Sequence, residues 1–193
     1  DKAQEIVGSY RIGEAFRCAE DNTYSLYTER LFSYQPKFRA MFGESIELGR
    51  SFIQPRYWNK RGLDYLWLGI GAYLAKNPQV RYLFGAVSIS NEFPALAQQQ
   101  IVACYQTFFQ PPNHQNLAVS KMPFKVDRGT QESYQHQTFT EALTTLKQSL
   151  KRQNLNLPTL YKHYADLCED EGLSFIDFNI DPEFSYCVDG LIL

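Results

Sequence analysis

Between Ser45 and Ile89 the chain reads as strand, basic turn, helix and strand, and no other stretch limits the fold so strongly. From Ser45 to Ile53 apolar and β-branched residues favour a strand, ended by Pro55, which brings no donor to a β ladder. Gly62 to Leu74 then sets Leu63, Leu66, Trp67, Ile70 and Leu74 at helical spacing, with Asn77-Pro78 as the stop. Val80 to Ile89 is nearly continuous in apolar character, as expected of an interior strand covered on both faces. Such a βαβ unit predicts parallel strands and a right-handed crossover. The start of its helix, preceded by Arg56, Lys60 and Arg61, is also suited to an anion. The first backbone N–H groups there lack intrahelical partners, and cations oppose the macrodipole unless an anion offsets them.

Around this unit the remaining signals are uneven. Glu5 to Ile12 is β-like, Gly13 to Asn22 is polar and turn-rich, and Tyr24 to Phe32 is read as a short helix. After Ile89, Ser90 or Asn91 is expected to cap a helix with Pro94 in its first turn and Ile101, Cys104, Tyr105, Phe108 and Phe109 on its apolar stripe. Pro111-Pro112 closes it. Residues 113–137 have weak periodicity, with a strand near Ala118 to Val126 or a mobile flap as alternatives. Thr138-Phe139-Thr140-Glu141 matches a capping box for a helix carrying Leu143, Leu146 and Leu150. A further helix starts at Asn156-Leu157-Pro158, ending at Gly172. Two strands, Leu173 to Ile180 and Tyr186 to Leu193, follow around Asp181-Pro182-Glu183.

A length of 193 residues with 44% hydrophobic content is enough for one sizeable core, and a single domain over 1–193 is the expectation. A net charge of -2 and pI near 6.0 argue against a general nucleic-acid binder, so any basic site is local. Cys18, Cys104, Cys168 and Cys187 form no C-x-x-C pair and read as reduced thiols of a cytoplasmic protein. His114, His136 and His163 show no metal-ligand spacing, and no metal is expected. No apolar run approaches the roughly 20 residues of a membrane span, which leaves peripheral contact with a membrane open.

Glu47-Leu48-Gly49-Arg50-Ser51, with Ile6-Val7-Gly8-Ser9-Tyr10-Arg11 before it and Tyr82 to Ser88 after it, resembles the ornithine-lipid N-acyltransferase and hemolysin-like branch of the GNAT superfamily. More distantly it is similar to the acyl-homoserine lactone synthases, which carry a similar Glu-x-x-Arg strand. Asp181-Pro182-Glu183-Phe184 and Asp189 extend the resemblance to most of the chain. It implies an α/β fold with a twisted mixed β-sheet flanked by helices, a role in lipid biosynthesis, and a family N-terminal segment not included here. The implied activity is N-acyl transfer from an acyl thioester to an amino group, such as that of an amino acid. The usual pyrophosphate loop of the superfamily is reduced to Asn59-Lys60-Arg61-Gly62-Leu63-Asp64. This favours acyl carrier protein, through its phosphopantetheine arm, over acyl coenzyme A as donor, with no tightly bound cofactor. The implied setting is cytoplasmic or peripheral at the inner membrane.

Acyl transfer from a thioester to an amine needs a proton acceptor, a donor to the developing oxyanion and a slot for the pantetheine arm. By the resemblance Glu47 is the general base or the amine-orienting carboxylate, and Arg50 positions it or binds an acceptor carboxylate. The plain alternative is an ion pair of structural value only. In an ideal strand the two face opposite sides, and a bulge at Gly49 would bring them to one face. Ser51, Phe52 and Ile53 and, on the other strand, Ser88 are expected to line the donor slot. Arg56, Lys60, Arg61 and Gly62 are expected to meet the phosphate or an acidic carrier surface. Ser88, Ser90 and Tyr82 are lesser candidates to protonate the leaving thiolate; a cap or packing role is the plainer reading for each. Trp58, Trp67 and Tyr73 read as core and lid. Asp177, Asp181 and Asp189 read as turn or strand-edge residues. The competing functions are a small-acyl, coenzyme A-dependent acetyltransferase and a non-catalytic acyl- or carrier-binding domain.

Overall fold

The computed structural model describes residues 5–19, 21, 24–58, 60–111, 116–168 and 172–193; the side chains of Ala19 and Leu167 are also left out of the description. Among the described residues the strands are β1 (Gly8–Glu14), β2 (Phe32–Tyr34), β3 (Ser45–Ile53), β4 (Tyr82–Ile89), β5 (Ala118–Ser120), β6 (Phe175–Asp181) and β7 (Cys187–Ile192); they form a mixed five-stranded sheet, in the order β1-β3-β4-β7-β6, and a two-stranded sheet of β2 and β5. The chain divides into two compact units, Asp1–Tyr27 with Arg39–Gly85, and Thr28–Phe38 with Ala86–Leu193. The strand β4 (Tyr82–Ile89) contributes to both.

In the first unit, β1 (Gly8–Glu14) pairs antiparallel with β3 (Ser45–Ile53), and β3 pairs in parallel with β4 at Ser45 to Glu47 against Tyr82 to Phe84. The connection is the helix α2 (Gly62–Lys76), so the predicted strand–helix–strand unit is present with nearly the predicted bounds. Its buried face follows the predicted spacing. Ile70 joins Ile46 and Leu48 in a core, and Tyr10, Ile12, Trp67, Tyr73, Leu74, Val80 and Leu83 close around it. Each fully buried aliphatic side chain here is worth about 2 kcal/mol relative to exposure. At the point where the β3–β4 ladder stops, Gly85 lets the two strands approach closely. A Cβ there would run into the carbonyl oxygen of Leu48, backbone that has nowhere to go.

The stretch Tyr24 to Phe32 is not a helix. It contains one 3-10 turn, Thr28–Arg30, followed by β2 (Phe32–Tyr34), which pairs antiparallel with β5 (Ala118–Ser120). Aromatic residues at alternating positions suit a strand, and Phe32 and Tyr34 are buried on one side while Ser33 faces solvent. The short helix α1 (Pro36–Arg39) follows.

In the second unit, α3 (Ala95–Phe108) begins after Pro94, with no side-chain cap; Ser90 instead accepts from the Glu92 N–H, so neither Ser90 nor Asn91 caps it. Residues 113–137 hold β5 and α4 (Arg128–Glu132), whose Asp127 cap the sequence reading missed; Pro112 and His114 lie outside the described residues. The Thr138–Glu141 capping box opens α5 (Phe139–Arg152) as predicted. The helix α6 (Thr159–Leu167) stops before Gly172, with Cys168 at its C-cap. An antiparallel hairpin of β6 (Phe175–Asp181) and β7 (Cys187–Ile192) follows, its turn containing left-handed Ser185 and Tyr186. The core is aromatic: Tyr105 meets Tyr161 at 5.0 Å and Phe175 at 5.1 Å, and Phe175 stacks on Phe178 at 5.5 Å between ring centroids. Such pairs add roughly 0.5–1.5 kcal/mol each beyond their burial.

No described helix is long and apolar enough to cross a membrane. None of the four cysteines forms a disulfide. Because the added methyl would meet backbone, Gly85→Ala should lower the unfolding free energy by about 3 kcal/mol, read from denaturant midpoints at unchanged m-value.

Candidate active site

Strand alternation decides where Glu47 points. Ile46 and Leu48 enter the α2 core, so Glu47 between them faces the opposite side of the sheet. Directly across on β1 is Gly13, where an added Cβ would stand in ordinary contact with Glu47, 3.4 Å from its Oε2. Glu47 is only 1% exposed, and a carboxylate so placed must be paired. Arg11, two residues before Gly13 on the same strand face, forms an ion pair with Glu47 Oε2, and the Tyr27 backbone N–H donates to the same oxygen at 3.0 Å. Arg11 keeps 42% of its side chain exposed, so the pair runs from the interior to the surface.

The expected bulge exists one residue later than predicted. Ser9 pairs with Phe52 and Arg11 with Gly49, so Arg50 and Ser51 together oppose Tyr10. Gly49 stays in regular register, and Arg50 takes the irregular conformation at φ 54. The extra residue redirects the Arg50 side chain, whose guanidinium lies over the Tyr27 ring, 4.5 Å from its centroid. Glu47 and Arg50 therefore both reach Tyr27, one through its backbone and one through its ring. Among the described residues no carboxylate lies within ion-pair distance of Arg50.

The other predicted site residues are distributed along the same unit, with one exception. Ser51 is half-buried in the bulge and Phe52 is 49% exposed. Ile53 is a packing residue, its side chain filling the space beside Gly8 and Gly62. In the basic turn Arg56 forms an ion pair with Glu5 and lies over Tyr57, and Lys60 lies over the same ring at 5.4 Å. Arg61 donates to Asp64 at 3.2 Å. Glu5 and Asp64 thus offset part of the positive charge the sequence suggested. Gly62 opens α2, whose N-terminus has no side-chain cap. Ser88 belongs to the second unit, where its hydroxyl donates to Asp189.

Several lesser candidates have structural roles. Trp67 packs edge-on against Tyr10 and Tyr73 donates to Glu14 at 2.9 Å, while Trp58 is exposed and donates to the Ile53 carbonyl. Asp177 accepts from the Ser120 N–H and Asp181 caps its own turn. Asp189 is not at a strand edge but buried within β7. Burial pushes the Cys104 thiol up to about 12 and raises those of Cys168 and Cys187, so none of these three is an activated nucleophile. The residues missed by sequence reasoning are Arg11 and Tyr27. Arg11 stood in the quoted motif and faced Glu47 by strand alternation; Tyr27 lay in the segment misread as helix.

Known proteins resemble this chain in sequence. The Acetyltransferase (GNAT) domain family matches residues 1–68, a span that holds Arg11, Tyr27, Glu47, Arg50 and the basic turn. A glycine N(alpha)-acyltransferase of Bacteroides thetaiotaomicron is 27% identical over 179 residues, 86% of this chain and 52% of that protein. A glycine N(alpha)-acyltransferase of Phocaeicola vulgatus is 25% identical over 177 residues, 86% of this chain and 54% of that protein. An L-ornithine N(alpha)-acyltransferase of Brucella abortus is 32% identical over 98 residues, 48% of this chain and 32% of that protein. No solved structure matches. The class defined by fold and matches is the GNAT-like α/β domain, and the resemblance to N-acyltransferases of the GNAT superfamily is borne out. The chain spans about half the length of the two glycine N(alpha)-acyltransferases it matches.

Removing one partner from a buried carboxylate leaves its desolvation uncompensated. Arg11→Met should therefore lower stability by about 2 kcal/mol, less than for a fully buried pair because Arg11 is partly solvated, and Arg11→Lys should restore part of it in thermal or denaturant unfolding.

Proposed function

We propose that this chain is the catalytic domain of an N-acyltransferase that moves an acyl group from a thioester to the amino group of an amino acid. The observation that carries the reading is the buried Glu47, held by Arg11 and the Tyr27 N–H, with the Arg50 guanidinium over the Tyr27 ring and, among the described residues, in no ion pair. An amino acid offers an ammonium and a carboxylate on one carbon, and a site with one carboxylate and one available guanidinium matches that pair of charges. The names of the relatives, glycine and L-ornithine N(alpha)-acyltransferase, support an α-amino group as the nucleophile.

In this reaction the acceptor ammonium first gives up one proton, the free amine nitrogen attacks the thioester carbonyl carbon, the C–S bond breaks, and the leaving thiolate takes up the second proton that the nitrogen sheds. The amine must lose a proton for the amide to form, and Glu47 is the group assigned to orient the amine and accept that proton. The bulge at Arg50 and Ser51 supplies backbone groups released from the regular ladder, suited to the developing oxyanion. The extended pantetheine arm is assigned to the space between β3 and β4 beyond the close approach of Gly85 to Leu48, where no described ladder pair joins the two strands.

Acyl carrier protein is our favoured donor over acyl coenzyme A. The turn of Arg56, Lys60 and Arg61 at the uncapped start of α2 suits the single phosphate of the arm and an acidic carrier surface, and the sequence lacks a full pyrophosphate loop.

The deciding experiment measures thiol release from long-chain acyl carrier protein, long-chain acyl coenzyme A and acetyl coenzyme A, each with glycine and L-ornithine. Release from the carrier-bound donor in preference to both coenzyme A thioesters is the expected result. Preference for acetyl coenzyme A would replace it with the small-acyl reading, and donor binding without release would favour a non-catalytic domain. Glu47→Gln should abolish release in a protein that still unfolds in one cooperative transition, and retained activity would remove Glu47 from the mechanism.

A further inference from the structure

One residue touches both halves of the proposed acceptor site. Tyr27 donates its backbone N–H to Glu47 Oε2 at 3.0 Å and carries the Arg50 guanidinium over its ring at 4.5 Å. The two contacts are separable, because the N–H belongs to any residue at this position and the ring only to an aromatic one. Resting on the acyl-transfer reading above, we propose that the Tyr27 ring is a positioning element that sets Arg50 to receive the carboxylate of the amino-acid acceptor.

Arg50 is otherwise a poor candidate for a defined binding group. It is exposed, its side chain is long, and among the described residues no carboxylate fixes it. A cation over an aromatic face is attracted by the negative charge of the ring face. A guanidinium held by its face also keeps its in-plane N–H groups directed outward, where they can form the paired hydrogen bonds that suit a carboxylate. The ring thus removes freedom from Arg50 before the ligand arrives, and less ordering cost remains at binding. Because Glu47 is already satisfied by Arg11 and a backbone donor, Arg50 is left to the ligand rather than to its neighbour.

The test compares Tyr27→Leu and Tyr27→Phe with the wild type, using glycine, glycinamide and the acyl donor. All three proteins keep the N–H to Glu47. The leucine variant should raise the KM for glycine about three- to tenfold, with kcat within about twofold and the donor KM unchanged. Tyr27→Phe should behave as the wild type. The KM for glycinamide, which has no carboxylate, should not respond to Tyr27→Leu. An unchanged glycine KM in the leucine variant, an equal loss in the phenylalanine variant, or an equal rise for glycinamide or donor would overturn the proposal. Should the leucine variant not fold, Tyr27→Met carries the same expectations. If the wild type transfers no acyl group, the acyl-transfer reading fails on its own. Calorimetric binding of glycine and L-ornithine then decides: weakening by Tyr27→Leu but not by Tyr27→Phe supports the role of the ring, and absence of binding to the wild type overturns it.

Discussion

A carboxylate taken out of water must find its partners before anything else around it can settle. Glu47 is such a group, and much of the first unit is arranged to satisfy it. Gly13 lies across the ladder from it, Arg11 brings the opposite charge from the same strand as Gly13, and the chain at Tyr27 folds back to supply an N–H. Burying an ion pair of this sort is weak evidence for stability, since desolvation offsets most of the Coulombic attraction and an apolar pair of equal shape would serve as well. It stands beside an irregular strand and beside Arg50, which among the described residues has no carboxylate partner.

The opposite face of the same strand does the conventional work. Ile46 and Leu48 join Ile70 and the partly buried residues around it, so one strand carries the core on its even positions and the charged group on an odd one. This division makes Glu47 rigid. The strand on which it sits is fixed by apolar packing on the face away from Glu47, and the polar face need not provide cohesion.

How much of this could be read beforehand follows from the kind of signal involved. The strand from Ser45, the helix from Gly62 and the strand ending at Ile89 were legible because their periodicities are long and consistent, and the Thr138 capping box because its hydrogen bonds are local. Tyr24 to Phe32 was not, since a few aromatic residues fit either period and only the pairing of β2 with β5 decides between them. The charged pair of Arg11 and Glu47 depends on the register between strands far apart in sequence, which strand alternation narrows but does not set. The need for a bulge was legible from the odd spacing of Glu47 and Arg50, but its position was misplaced by one residue because glycine was assumed to take the irregular conformation.

A left-handed conformation costs a side-chain-bearing residue about 1 kcal/mol and costs glycine almost nothing. Gly49 and Arg50 are adjacent, yet no described glycine has a positive φ, and the arginine takes the costly conformation. Exchanging the two would ease the backbone and forfeit the direction of the guanidinium. The order of these two residues therefore records a preference for where a charge points over how comfortably the chain bends.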